Sequence, residues 1–103
     1  MTLGTGRADA GVKWQAPKSC LPAALLGAVE SVGARRHVVV TSTYRNRGLK
    51  GSYHRRCKAI DFRVLGSSRA VLQELRGYPG VGATKHYGGG LYHIDTGPKW
   101  RRW

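Results

Sequence analysis

Acidic side chains are scarce in this sequence: five Asp plus Glu stand against eighteen Lys plus Arg, a formal net charge of +13 over 103 residues. That imbalance predicts attraction to polyanions, whether nucleic acid, acidic lipid head groups or an anionic cell-wall polymer, and by itself does not choose among them. Long apolar runs are missing too. No stretch of eighteen apolar residues exists, so no helix is expected to span a membrane. Residues 1–15 also lack the apolar segment of a secretory signal, which in an exported protein would already have been removed. With only two cysteines there is no zinc-finger spacing, and neither an RNA-recognition signature nor a helix-turn-helix pattern accompanies the basic residues. Specific nucleic-acid recognition is therefore not expected, and a basic nucleic-acid-binding module stands only as an alternative motivated by charge. A hydrophobic content of 41% excludes global disorder, and the length suits one domain with a modest core.

Residues 1–16 are rich in glycine and read as an irregular, mobile N-terminal arm, with Trp14 available to dock it; residues 17–103 hold the folded domain. Pro22 suits the first turn of a helix whose apolar face is Leu21, Leu25, Leu26 and Val29, ending near Gly33. The β-branched run His37 to Tyr44 reads as a buried strand. Lys58 to Val64 is a second, with Ala59, Asp61 and Arg63 on one face and Ile60, Phe62 and Val64 on the other. Ser67 or Ser68 caps a short helix through Val71, Leu72 and Leu75 that closes at Gly77. Val81 to Tyr87 and Leu91 to Thr96, separated by three glycines, resemble a hairpin. The order helix, strand, strand, helix, strand, strand argues for an α+β fold: a small, mainly antiparallel sheet with two helices packed on it.

Two of the five acids, Asp61 and Asp95, sit inside histidine-containing segments. Ser52 to Asp61 places His54 and Asp61 seven residues apart, and His93-Ile94-Asp95 follows near the C-terminus. A nitrogen and an oxygen donor from the first segment and a nitrogen from the second make a three-ligand zinc set, leaving one coordination position for water or substrate as catalytic zinc sites do. The competing reading of Asp61 is a pairing with an arginine such as Arg63. Alternation along a regular last strand puts His93 and Asp95 on one side and Tyr92 and Ile94 on the other, so Asp95 lies near the ion without having to bind it. Cys20 and Cys57 admit three readings: a disulfide tying the first helix to the metal loop, which an oxidising compartment favours, two reduced thiols, or Cys57 as an extra ligand.

These residues carry a resemblance. Ser42-Thr43-Tyr44-Arg45, Ser52-x-His54 with Asp61, Tyr92-His93-Ile94-Asp95-Thr96-Gly97 and the closing Arg101-Arg102-Trp103 resemble the zinc D-Ala-D-Ala carboxypeptidase and murein endopeptidase superfamily, most of all its compact periplasmic branch. The resemblance spans residues 20 to 103. It implies the mixed sheet-and-helix, hedgehog-like fold of those peptidases, zinc held by His54, Asp61 and His93, and a periplasmic or otherwise exported protein that hydrolyses peptidoglycan stem peptides or cross-links as a monomer. One position departs from the pattern: where many relatives carry an acid three residues before the last ligand, this chain has Gly90. Asp95 is then the first candidate for the proton-accepting base, or else the carboxylate that orients a ligand, and His86 is the second. Glu30 and Glu74 fall on helices and suit solvated or capping roles. Arg45 is the candidate for holding an oxyanion or a substrate carboxylate, since a guanidinium is a permanent planar fork of donors. Ser52 is a candidate hydrogen-bond donor to a ligand, and Tyr44, Tyr53 and Tyr92 are candidates to line a groove. The missing acid also motivates an alternative: a catalytically inactive relative that keeps the metal and binds murein.

Overall fold

A computed structural model describes residues 11–43 and 57–98. Seven elements follow one another: β1 (Gly11–Trp14), α1 (Ala23–Gly33), β2 (His37–Ser42), β3 (Ala59–Val64), α2 (Ser68–Arg76), β4 (Thr84–Gly88) and β5 (Leu91–Asp95). The strands form one five-stranded sheet in the order β1-β2-β3-β5-β4. Three neighbouring pairs are antiparallel and β1 runs parallel to β2. The fold is thus α+β with a mixed sheet and two helices.

The helices cover one face. Val38 and Val40 of β2, Ile60, Phe62 and Val64 of β3, and Tyr92 and Ile94 of β5 meet Leu25, Val29 and Val32 of α1 and Val71 and Leu75 of α2 in a single buried cluster. The alternation expected for β3 is present: Ile60, Phe62 and Val64 are buried while Arg63 is exposed and Asp61 half-buried. In α2, Ser67 caps the first turn by accepting a hydrogen bond from the Ala70 backbone N–H, and Gly77 closes the helix. In α1, Pro22 sits one place earlier than expected, as the N-cap in extended backbone. Glu74 joins the two helices, accepting from the Ser31 hydroxyl at 2.8 Å and from Arg36 at 3.0 Å, a structural role in place of the solvated or capping one expected of it.

Residues 11–14 correct the reading of a mobile arm up to residue 16. They pair in register with residues 37–40, and both Val12 and Trp14 pack against the core while Lys13 faces outward. Four residues beside a glycine-rich stretch carry too little periodicity to announce a strand; what orders them is the free edge of β2 and the apolar side of α1. Residues 1–10 lie outside the described residues. The first β-rich segment ends at Ser42, after a register shift between Val40 and Ser42.

Cys20 and Cys57 form a disulfide with Cα atoms 6.0 Å apart, so neither is a free thiol and Cys57 is not an extra metal ligand. Closing a loop of 37 residues stabilises the fold by about 4 kcal/mol in the chain-entropy picture. Bridges of this kind persist in oxidising compartments. Among the described residues no helix is long and apolar enough to cross a membrane.

Candidate functional site

The face of the sheet turned away from the helices carries the candidate site, and strand register assembles it. Asp61 of β3 lies directly opposite His93 of β5, and Ala59 lies opposite Asp95. Residues 61, 93 and 95 therefore project from the same side, as the alternation of β5 predicts. His93 Nδ1 is 2.9 Å from Asp61 Oδ1, and His93 Nε2 is 2.8 Å from Asp95 Oδ2. The imidazole is thus clasped between two carboxylates from neighbouring strands.

Asp95 is fully buried, and a buried carboxylate is tolerated only when its lone pairs are satisfied. Its Oδ1 accepts from the backbone N–H of Gly97 at 2.8 Å and of Ala83 at 3.3 Å, while Oδ2 takes His93. The chain closes tightly around it: Gly82 N–H donates to the Asp95 carbonyl at 2.7 Å, and a Cβ at Gly82 would overlap the Gly97 backbone. Asp95 is thus held in place while its Oδ2 contacts His93 Nε2. The backbone donors that hold it are the part of the site that side-chain motifs do not reveal.

Burial of the ring opposes its protonation, but hydrogen bonds to Asp61 and Asp95 and the charge of both carboxylates outweigh that cost and raise the pKa of His93 above the usual imidazole value. With Nε2–H directed at Asp95, a neutral ring would turn its Nδ1 lone pair toward an anionic oxygen 2.9 Å away. Something positive belongs between those two atoms, either a second proton or a cation. Two donors on one tetrahedral zinc, each at about 2.0–2.1 Å, stand roughly 3.3 Å apart. Asp61 and His93, at 2.9 Å, stand closer than that, at the separation of a direct hydrogen bond. Among the described residues no group of three His, Cys, Asp or Glu side chains forms a complete metal site. The third expected ligand, His54, lies outside the described residues, as do Arg45, Ser52, Tyr44 and Tyr53.

His86 is corrected. It pairs with Tyr92 across β4 and β5 and stacks on it with ring centroids 4.4 Å apart, and Tyr92 in turn stacks on Phe62 at 5.7 Å. His86 therefore belongs to the helix-covered face and does not meet the Asp61–His93–Asp95 cluster, so it cannot serve there as a base. The same stack removes Tyr92 from the candidate groove, since it is 1% exposed in the core; burial pushes its hydroxyl pKa up, against a smaller opposing effect of Arg36.

Gly90 departs from the pattern for a reason of backbone geometry. It ends the β4–β5 turn at φ +82°, its carbonyl accepts from Val64 N–H at 2.9 Å, and a Cβ there would sit 2.7 Å from the Val64 carbonyl oxygen. Any side chain at that position would be strained and would force the Val64 backbone to shift.

Two neighbours of His93 escaped the motif reading. Lys85 lies directly opposite it in register, and Tyr87 stands edge-on to it with centroids 6.5 Å apart. The Lys85 ammonium lies 5.4 Å from the Tyr87 ring centroid. Alternation along the last hairpin was the available signal. Comparison with known families, curated proteins and solved structures finds no significant match.

Proposed function

We propose that the chain is a zinc-dependent peptidase that hydrolyses peptide bonds in bacterial peptidoglycan stem peptides or cross-links, working outside the cytoplasm. The observation that carries this reading is the Asp61–His93–Asp95 clasp: two donor atoms poised 2.9 Å apart, with a buried carboxylate holding the far nitrogen of the imidazole. A carboxylate behind a ligating histidine is the arrangement that fixes its tautomer and raises its basicity. Asp61 and His93 would hold the metal, with His54 as the third ligand by resemblance. Zinc, when bound, supplies Lewis acidity toward water and the scissile carbonyl.

The chain's own side chains do the rest. Asp95 keeps a proton at His93 Nε2 and leaves Nδ1 as the donor. Arg45, by resemblance, holds the oxyanion or a substrate carboxylate. The positive charge of the chain draws anionic substrate to the protein, an attraction that weakens as salt is added. The disulfide and the absence of a membrane-spanning helix among the described residues are compatible with an exported protein.

A second reading is favoured by Gly90 and by the full engagement of Asp95, which leave the base position without an acid: a metal-holding relative that binds murein and does not cut it. Digestion of isolated sacculi separates the two. The purified chain should retain near one zinc and release soluble muropeptides, and His54→Ala should lose both. Binding to sacculi without new products supports the silent relative, and cleavage that survives thorough chelation overturns the zinc reading.

A further inference from the structure

We propose that the groove leading from Arg63 to Leu65 on the open sheet face is a subsite for the free carboxylate of an extended peptide, lying about two residues from the bond placed over Asp61 and His93. This deepens the peptidase reading and rests on it for the position of the cleaved bond. Arg35, His37, Val39, Arg63, Val64 and Leu65 line a cavity of about 360 Å³, within the size range of small-ligand clefts.

Register locates the groove relative to the site. Arg63 is two residues from Asp61 on the same strand and face, and it pairs with Val39 across β2 and β3. Two residues of strand cover about 7 Å, and an extended peptide laid along the sheet advances at the same rate. A peptide whose scissile carbonyl sits over the His93 clasp thus brings a group two residues further on to the Arg63 guanidinium. Leu65 and His37 lie another step along.

The lining has the chemistry of a carboxylate receptor. Among the described residues no acid lines the groove; of its two further arginines, Arg35 and Arg36, the second is neutralised by Glu74 at 3.0 Å. Arg63 is exposed, and one of its terminal nitrogens is tied to the Gly89 carbonyl at 3.0 Å. That tether steadies the guanidinium and leaves its other donors for a ligand, and an arginine fork suits a carboxylate better than a point charge would. Val39 and the 80% exposed Leu65 give the walls an apolar surface for small side chains.

The test is a titration of the full chain by heteronuclear NMR with trialanine carrying a free C-terminal carboxylate, with its C-terminal amide, and with inorganic phosphate. The free acid should move the amides of Val39, Arg63 and Leu65 and bind about tenfold more tightly than the amide, the worth of one charge-assisted contact. Arg63→Gln, a change at an exposed position, should erase that preference without altering the fold. Equal binding of acid and amide, or shifts confined to other residues, overturns the subsite. Phosphate matching the free acid at the same residues also overturns it, marking a general anion patch. Because the titration needs neither zinc nor cleavage, sacculi digestion with a failed titration removes the subsite alone. A successful titration without digestion removes the hydrolase alone.

Discussion

The two faces of the β3–β5 pair are built from adjacent residues and share almost nothing. Phe62 and Tyr92 point under the helices and stack in a dry core, while Asp61 and His93, their immediate neighbours in sequence, point the other way and form a charged clasp. His86 and Lys85 divide in the same manner, the first stacking on Tyr92 and the second lying opposite His93. Histidine on one face is thus a packing ring, and on the other it is the centre of an ionic network. Residue type alone does not distinguish them; strand phase does.

The largest effect expected from that division is a contrast in stability. Phe62→Ala should cost about 3–5 kcal/mol, a buried aromatic lost with a cavity left behind. Tyr87→Ala, on the open face, should stay within about 0.5 kcal/mol. Urea melts of both variants check this, and equal losses would dissolve the distinction between the faces. Next in size, on the proposed zinc reading, Asp95→Asn should weaken zinc binding by about 10–100-fold, the usual consequence of removing a carboxylate behind a ligating histidine. His86→Asn should leave metal affinity unchanged, and competition with a zinc-sensitive chelator dye reads both.

The smallest effect is a pH dependence in the metal-free chain. His93 has a folded-state pKa raised above its unfolded value of about 6.5. Its contribution to stability is therefore fully present below that value and is lost as pH climbs through the folded-state pKa. Urea midpoints measured with chelator present should fall across that window, and His93→Gln should flatten the slope. A midpoint that rises there instead would show that His93 is not held as a cation between Asp61 and Asp95.

Much of this architecture was readable in advance wherever a local rule had a single outcome. The serine cap and closing glycine of α2, the alternation of β3, the triglycine turn and the shared side of His93 and Asp95 all follow from periods of two or from backbone preferences. The disulfide was one of three open readings for Cys20 and Cys57. What escaped depends on long-range contacts. The four residues of β1 are ordered by the edge of β2, and their parallel pairing has no local signature. His86 is a candidate base by sequence because a spacing of seven residues from His93 implies nothing about face until register is known, and a bulge between His86 and Gly88 breaks the count across the turn. Alternation puts Asp95 beside His93, yet its satisfaction by Ala83 and Gly97 N–H groups comes from how two loops close on each other. His54, Arg45 and residues 1–10 lie outside the described residues.

The Cys20–Cys57 bridge also fixes where the chain leaves and rejoins the sheet. Residue 57 is where the chain returns to the sheet after the stretch holding His54, and the other end of that stretch departs from Thr43, whose buried hydroxyl donates to the Pro17 carbonyl. Both anchor points are thus moored to the same short span, 17–20, just ahead of α1. On the proposed zinc reading, reductant would slip one of these two moorings, and zinc occupancy is expected to track the thiol poise of the surroundings.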